Sequence, residues 1–175
     1  MKKNQILRIC LCAIASSLYV IFDLLSISAD PLKITMSGLP IIVIAVIFGP
    51  VDGMIVGFCG SFLCQLLNYG FTPTTILWIL PAVFRGFYVG ILCKKVDLQD
   101  DFIKVILIIV SSSLFVTLLN TGVMWIDSVI YGYYSHAYIF GSLLYRIASG
   151  LLTGIVYYIL TPLIVIPLKK IKFFN

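Results

Sequence analysis

Residues 37–90 read SGLPIIVIAVIFGPVDGMIVGFCGSFLCQLLNYGFTPTTILWILPAVFRGFYVG. The stretch is almost wholly apolar, glycine and proline interrupt it, and Arg85 lies inside its last apolar run. A charge within an apolar span is energetically expensive and usually marks a functional site. The fold of this chain therefore has to hold a guanidinium among apolar neighbours, and Arg85 is the first candidate for function.

The composition of the whole chain indicates an integral membrane protein. Of 175 residues, 61% are hydrophobic and 11% are charged, whereas about a quarter of a soluble domain is charged. We expect one domain, residues 1–175, that crosses the cell membrane several times and is surrounded by the lipid bilayer. The net charge of +5 comes from short basic clusters beside apolar runs, which indicates membrane topology and not nucleic-acid binding.

The apolar runs predict an all-α, compact bundle of six transmembrane helices, at residues 6–25, 38–48, 54–67, 76–93, 102–126 and 138–168. The second is short for a span of about 30 Å. Residues 26–36 are predicted to form a loop and residues 49–53 a tight turn. By the positive-inside rule both termini and the 94–101 loop are cytoplasmic, because most of the basic residues fall on that side: Lys2, Lys3, Arg8, Lys94, Lys95, Lys104, Lys169, Lys170 and Lys172.

Polar side chains concentrate in the opposite, outer half of the predicted bundle, which predicts a pocket that opens outward. A buried guanidinium pairs well with a carboxylate, so the pocket would suit a small anionic ligand, and aromatic rings could stack on a flat one. The candidate substrate-binding residues are Lys33, Gln65, Asn68, Tyr69, Trp78, Arg85, Asn120, Trp125 and Arg146.

Structural roles stay open for several of these residues. Arg85 also fits an internal pair with Asp127, Asp23 or a backbone carbonyl. Arg146 is close enough to a helix end to reach water, Asn120 fits a hydrogen bond between helices, and the aromatic residues fit anchors at the membrane interface. In the first helix, Ala13 and Ser17 have the small-xxx-small spacing that lets helices approach closely, either within this protein or against another subunit.

The sequence argues against an enzyme. It has one histidine and no glutamate, and its five cysteines include no CxxC pair, so neither a metal site nor a cofactor is predicted. The HExxH, GxSxG and phosphate-loop motifs are also absent from the sequence.

A set of short motifs resembles a known family. They are Leu39-Pro40-Ile41, Phe48-Gly49-Pro50, Gly53, Ile55-Val56-Gly57, Leu119-Asn120-Thr121, Trp125 and Tyr131-Gly132. Their order and spacing resemble the substrate-binding S component of energy-coupling factor (ECF) vitamin transporters, most of all the folate branch. Residues 66–86 differ from the corresponding stretch of folate binders, so pantothenate, another carboxylate, is the second candidate.

The resemblance implies a non-enzymatic, high-affinity subunit that captures a water-soluble vitamin from outside. Its partners would be a transmembrane coupling subunit and two ATPase subunits of an ATP-driven importer. Ala13 and Ser17 lie where the family's docking motif falls, and residues 26–36 correspond to its gating loop. The alternative is a membrane structural or sensor protein that acts through helix–helix partner binding.

Overall fold

A computed structural model describes residues 3–29, 32–96, 98 and 101–170. The elements in chain order are α1 (Lys3–Leu24), β1 (Ile27–Ala29), β2 (Leu32–Ile34), α2 (Gly38–Phe48), α3 (Pro50–Tyr69), α4 (Thr75–Leu92), a 3₁₀ turn (Cys93–Lys95), α5 (Phe102–Tyr131), α6 (His136–Phe140) and α7 (Leu143–Lys169). Within these ranges α1, α3, α4, α5 and α7 are long and apolar enough to cross a membrane, and α2 is shorter. The predicted helical membrane fold is confirmed, with five such helices where six were expected.

The predicted turn at residues 49–53 is wrong, because α3 already begins at Pro50. Only Gly49 separates α2 from α3, and its φ of 102° lies in the region that favours glycine. Proline suits the first turn of a helix, where its missing N–H needs no partner. A single glycine therefore reverses the chain, and the residues expected in the turn extend α3.

Two further expectations need correction. The predicted loop at residues 26–36 contains an antiparallel hairpin, in which Ile27 pairs with Ile34 and Ser28 pairs with Lys33. The predicted last helix, residues 138–168, is divided at residues 141–142 into the short α6 and the long α7. Glycine at 141 is a poor helix former, which fits a break at that point.

The short helix α2 lies at the centre of the bundle. Its residues from Gly38 to Ala45 are all buried, and they belong to both apolar clusters of the core. At 1.5 Å per residue, α2 is about 16 Å long and its antiparallel neighbour α3 about 30 Å. The second half of α3 therefore extends past the N-terminus of α2, and this is where the bundle encloses a cavity.

Glycine residues let α3 and α4 pack with their backbones in contact. A Cβ atom added at Gly57 would lie 2.5 Å from the carbonyl oxygen of Ala82, and one added at Gly86 would lie 2.6 Å from the amide nitrogen of Met54. Small residues permit this approach between membrane helices. The contact fixes the rotation of α4 and so the direction in which Arg85 points.

The end of the bundle away from the cavity holds the described basic residues Arg8, Lys94, Lys104, Lys169 and Lys170. Arg8 of α1 forms an ion pair with Asp52 of α3, and its guanidinium also lies 5.6 Å from the centre of the Phe48 ring. This pair joins the first helix to the first turn of α3.

Candidate ligand pocket

The cavity has a volume of about 730 Å³ and is lined by α2, by all five long helices and by the residues that follow the hairpin. Pockets of this size hold small organic ligands. Seven of the nine predicted site residues line it: Gln65, Asn68, Tyr69, Trp78, Arg85, Asn120 and Arg146. Trp125 does not line it and is 48% exposed on another face of α5. Lys33 lies on β2, and its side chain is outside the described part of the chain.

Arg85 lies in the wall of this cavity without a counter-ion. The residue is only 9% exposed, and its Nε atom is buried with no hydrogen-bond partner. Among the described residues, no carboxylate pairs with the guanidinium, so the internal pair with Asp127 or Asp23 that the sequence left open is not formed. A buried, uncompensated charge is costly, and an anionic ligand would compensate it.

Tyr157 of α7 holds the guanidinium in place. The Arg85 Cζ atom lies 5.3 Å from the centre of the Tyr157 ring, a distance typical of a cation–π contact. The Tyr157 hydroxyl donates a hydrogen bond of 2.7 Å to the Thr35 carbonyl and accepts one of 3.1 Å from the Gly38 N–H. The start of α2, α4 and α7 therefore meet at this arginine.

Gly38 leaves the space that the guanidinium occupies. A Cβ atom at this position would clash with Nη1 of Arg85 and lie 2.8 Å from its Cζ atom. Glycine at the first residue of α2 therefore leaves room for the guanidinium in its present position, and a larger residue would displace it.

Other polar groups in the cavity also lack protein partners. The hydroxyl of Ser113 is buried without a hydrogen bond. Within the described residues, neither the amides of Gln65, Asn68 and Asn120 nor the guanidinium of Arg146 makes a side-chain hydrogen bond or ion pair. Asn120 therefore does not bridge helices, and these groups are available to a polar ligand.

The cavity wall near the first residues of α4 and the last residues of α5 carries a negative charge, opposite to that of Arg85. Asp127 is 8% exposed and lines the cavity. Its carboxylate accepts a hydrogen bond of 3.3 Å from the indole N–H of Trp78 and one from the Tyr133 hydroxyl. Trp78 is therefore held by a hydrogen bond at the edge of the cavity.

Helical periodicity would have found most of the lining residues that the sequence reasoning missed. Residues three, four or seven positions apart share one face of a helix. Counting from Arg146 along α7 reaches Ser149, Thr153 and Tyr157, and all of them line the cavity. The same count from Asn120 along α5 reaches Ser113, Thr117 and Asp127, whereas Trp125 does not fit it.

The fold and the cavity define the class of protein: a multi-pass membrane protein with an internal polar pocket. The described residues include no cluster of three histidine, cysteine or acidic side chains that could hold a metal ion. Residues 7–165 match the family model described as "ECF transporter, substrate-specific component". The chain therefore belongs to the family of substrate-specific components of ECF transporters. No curated protein matches the sequence at a significant level.

Family membership identifies the chain as a vitamin-binding membrane subunit of an ECF importer. It implies assembly with a transmembrane subunit and ATPase subunits. The family is one of transport proteins and not a class of enzymes.

Proposed function

We propose that this chain captures a small anionic, water-soluble vitamin, with folate as the first candidate and pantothenate as the second. The observation that carries the proposal is Arg85, which is buried in the cavity wall without a counter-ion. A ligand carboxylate that accepts hydrogen bonds from this guanidinium would form a charge-assisted pair, the stronger kind of hydrogen bond. Both candidate vitamins carry a carboxylate.

The remaining predicted site residues would serve the rest of the ligand. The amides of Gln65, Asn68 and Asn120 offer both donors and acceptors, Arg146 adds a second cation, and the rings of Trp78 and Tyr69 are suited to stack on a flat group. Lys33 stays a proposed binding residue because it lies on the hairpin. Trp125 is no longer proposed, because it lies outside the cavity lining.

The cavity would open to the outside of the cell. The basic residues at its opposite end favour that end as cytoplasmic. The hairpin β1–β2 then lies on the outer side, beside the lining residues Thr35 and Ser37. A vitamin would enter past the hairpin, which corresponds to the gating loop that the family resemblance implies.

The same proposal assigns the exposed side of α1 to assembly with the coupling subunit. Ala13 and Ser17 are both exposed, so no helix in the described part of the chain covers them. The Ser17 hydroxyl donates a hydrogen bond of 3.1 Å to the Ala13 carbonyl of the preceding turn. This face therefore carries small side chains, and its hydroxyl already has a hydrogen-bond partner. Both features suit close helix packing in lipid.

The first experiment is a thermal-shift screen of the detergent-solubilised protein against the water-soluble vitamins. A ligand at a hundred times its dissociation constant adds about 2.7 kcal/mol to the free energy of unfolding. We expect stabilisation by folate or pantothenate and none by vitamins without an acidic group, which serve as internal controls. A folded protein that no vitamin stabilises would contradict the proposal and favour the helix–helix partner alternative.

A further inference from the structure

Among the charged residues that line the cavity, Arg85 and Asp127 do not neutralise each other. Among the described residues Arg85 has no counter-ion, and the Asp127 carboxylate is held by neutral donors, the Trp78 indole and the Tyr133 hydroxyl, with the Thr74 hydroxyl as a further donor. Within the described residues, no lysine or arginine forms an ion pair with Asp127. A carboxylate with two oxygens accepts about four hydrogen bonds, so acceptor capacity remains for a ligand.

The distance between the two charges follows from helix geometry. Trp78 and Arg85 are seven residues apart in α4, which places them on one face with an axial rise of about 10 Å. Trp78 Nε1 contacts Asp127 at 3.3 Å. The backbone positions of Trp78 and Arg85 are therefore on the order of 10 Å apart along the axis of α4, with Asp127 beside Trp78 and Arg85 deeper.

We infer that the ligand is two-ended, with its carboxylate at Arg85 and a group that donates hydrogen bonds at Asp127, and that it enters with the acidic end first. The inference rests on the proposed function and deepens it. It defines the substrate as an acid that carries N–H or O–H donors on the order of 10 Å from its carboxylate, the rise between the backbone positions of Trp78 and Arg85. A carboxylic acid without such donors satisfies only half of the site.

The orientation has a physical reason. The Arg85 Nε atom and the Ser113 hydroxyl are buried and lack partners, so the deep part of the cavity offers unpaired donors. Asp127 at the outer part offers an acceptor. A ligand bound the other way round would leave the deep donors of Arg85 and Ser113 without acceptors, which costs binding energy.

The test compares ligands that differ only at the far end. Folate carries N–H donors on its bicyclic ring and on the nitrogen that joins this ring to the benzoyl group, and N-benzoyl-L-glutamate keeps the acidic end without any of them. Dissociation constants for both are measured by calorimetry on the detergent-solubilised wild-type chain and on Asp127→Asn. Asp23→Asn, which changes another carboxylate of the same cavity, is the matched control.

We expect Asp127→Asn to weaken folate by about 10- to 100-fold, the range for a hydrogen bond to a charged group, because the amide lacks the charge and presents a donor to a donor. The fragment should bind both proteins within about threefold, since a change of that size is below 1 kcal/mol. Asp23→Asn should keep the preference for folate over the fragment.

Three results would overturn the inference. One is an equal loss of both ligands in Asp127→Asn, and another is no loss of either. The third needs no variant: equal affinity of the wild-type chain for folate and the fragment. If pantothenate is the ligand, its analogue without the two hydroxyl groups replaces the fragment, with the same criteria. A wild-type chain that binds no acidic vitamin contradicts the proposed function itself, and the inference falls with it.

Discussion

The two ends of the bundle each place an arginine among apolar helices, and the two arginines differ in what surrounds them. The Arg8 side chain is 45% exposed and is nevertheless paired with Asp52. Arg85 is 9% exposed and has no anion. Stability alone would favour a counter-ion for Arg85, the more buried of the two arginines, because burial raises the cost of an unpaired charge. From this contrast we propose that Arg8 serves the fold and that Arg85 is kept for a partner outside the chain.

The largest expected effect separates these two roles. Arg85→Gln should weaken binding of the carboxylate vitamin by ~2–5 kcal/mol, the cost of removing one partner of a buried charge pair. The free energy of unfolding of the ligand-free protein should not fall, because the substitution removes an uncompensated buried charge. Calorimetry with the vitamin and thermal unfolding without it measure the two quantities.

Arg8→Gln is the matched control, since it removes an arginine at the other end of the bundle. It should lower the stability of the ligand-free protein and leave the vitamin affinity unchanged. If Arg85→Gln bound the vitamin as tightly as the wild type, Arg85 would not be a ligand contact, and the comparison between the two arginines would lose its functional meaning.

A smaller effect is expected from the glycine beside Arg85. Gly38→Ala places a methyl group where Nη1 of Arg85 now lies, so the guanidinium has to move. We expect a loss of vitamin affinity of about 1–3 kcal/mol, the usual cost of overpacking a filled site. Isothermal calorimetry of the purified variant gives the value.

Gly122→Ala controls for the general effect of alanine in a helix. No atom lies within 4 Å of a Cβ added at this glycine, and alanine is the better helix former by up to about 1 kcal/mol. Its affinity should equal that of the wild type and its stability should be equal or higher. If Gly38→Ala bound the vitamin as tightly as Gly122→Ala, the present position of Arg85 would not be needed for vitamin binding.

The sequence predicts the helices better than it predicts the pocket. Apolar runs identify the long helices because each must satisfy its backbone inside lipid, and Arg85 stands out as a charge within such a run. Tyr157, which contacts that charge, lies in an apolar run of α7 and carries no such signal. Only the packing of α7 against α5 and α2 brings its ring to Arg85.

Helix rotation explains the other differences. Trp125 and Asp127 are two residues apart in α5, so their side chains point in different directions, and only Asp127 lines the cavity. Six helices with weak amphipathicity leave such rotations undetermined. The rotation of α4 is set by glycine contacts with α3, which are tertiary contacts and not properties of a single helix.

The next prediction concerns the paired end of the bundle. Asp52→Asn should lower the free energy of unfolding by roughly 1–3 kcal/mol, a value between those of exposed and buried ion pairs, because the Asp52 side chain is only 11% exposed whereas that of Arg8 is exposed. Vitamin affinity should stay within about twofold, well under 1 kcal/mol. Thermal unfolding in detergent measures the first quantity and calorimetry the second.

Lys104→Gln provides the comparison for Asp52→Asn. Lys104 pairs with Asp101 at 2.7 Å, but its side chain is 65% exposed, and exposed pairs contribute about 0–1 kcal/mol. Its stability should therefore stay close to that of the wild type. Equal losses in the two variants would mean that the Arg8–Asp52 pair has no special part in holding α1 against α3.

The smallest effect on the isolated chain is expected at α1, where the consequence should appear only in the assembled importer. Ala13→Leu adds bulk to an exposed face and touches neither the cavity nor the Arg8–Asp52 pair. Vitamin affinity and stability of the purified chain should stay at wild-type values. Copurification with the coupling subunit, and vitamin uptake by cells, should fall, because a larger side chain prevents close helix packing.

Ala148→Leu makes the same change on an exposed face of α7 and should leave copurification and uptake intact. The pair of variants separates a docking face from a surface that only meets lipid, because both add the same apolar bulk to a membrane helix. If Ala13→Leu assembled and transported normally, α1 would have no docking role through this residue. If both variants failed, added bulk anywhere on the bundle would be the cause, and the difference between the two helix faces would disappear.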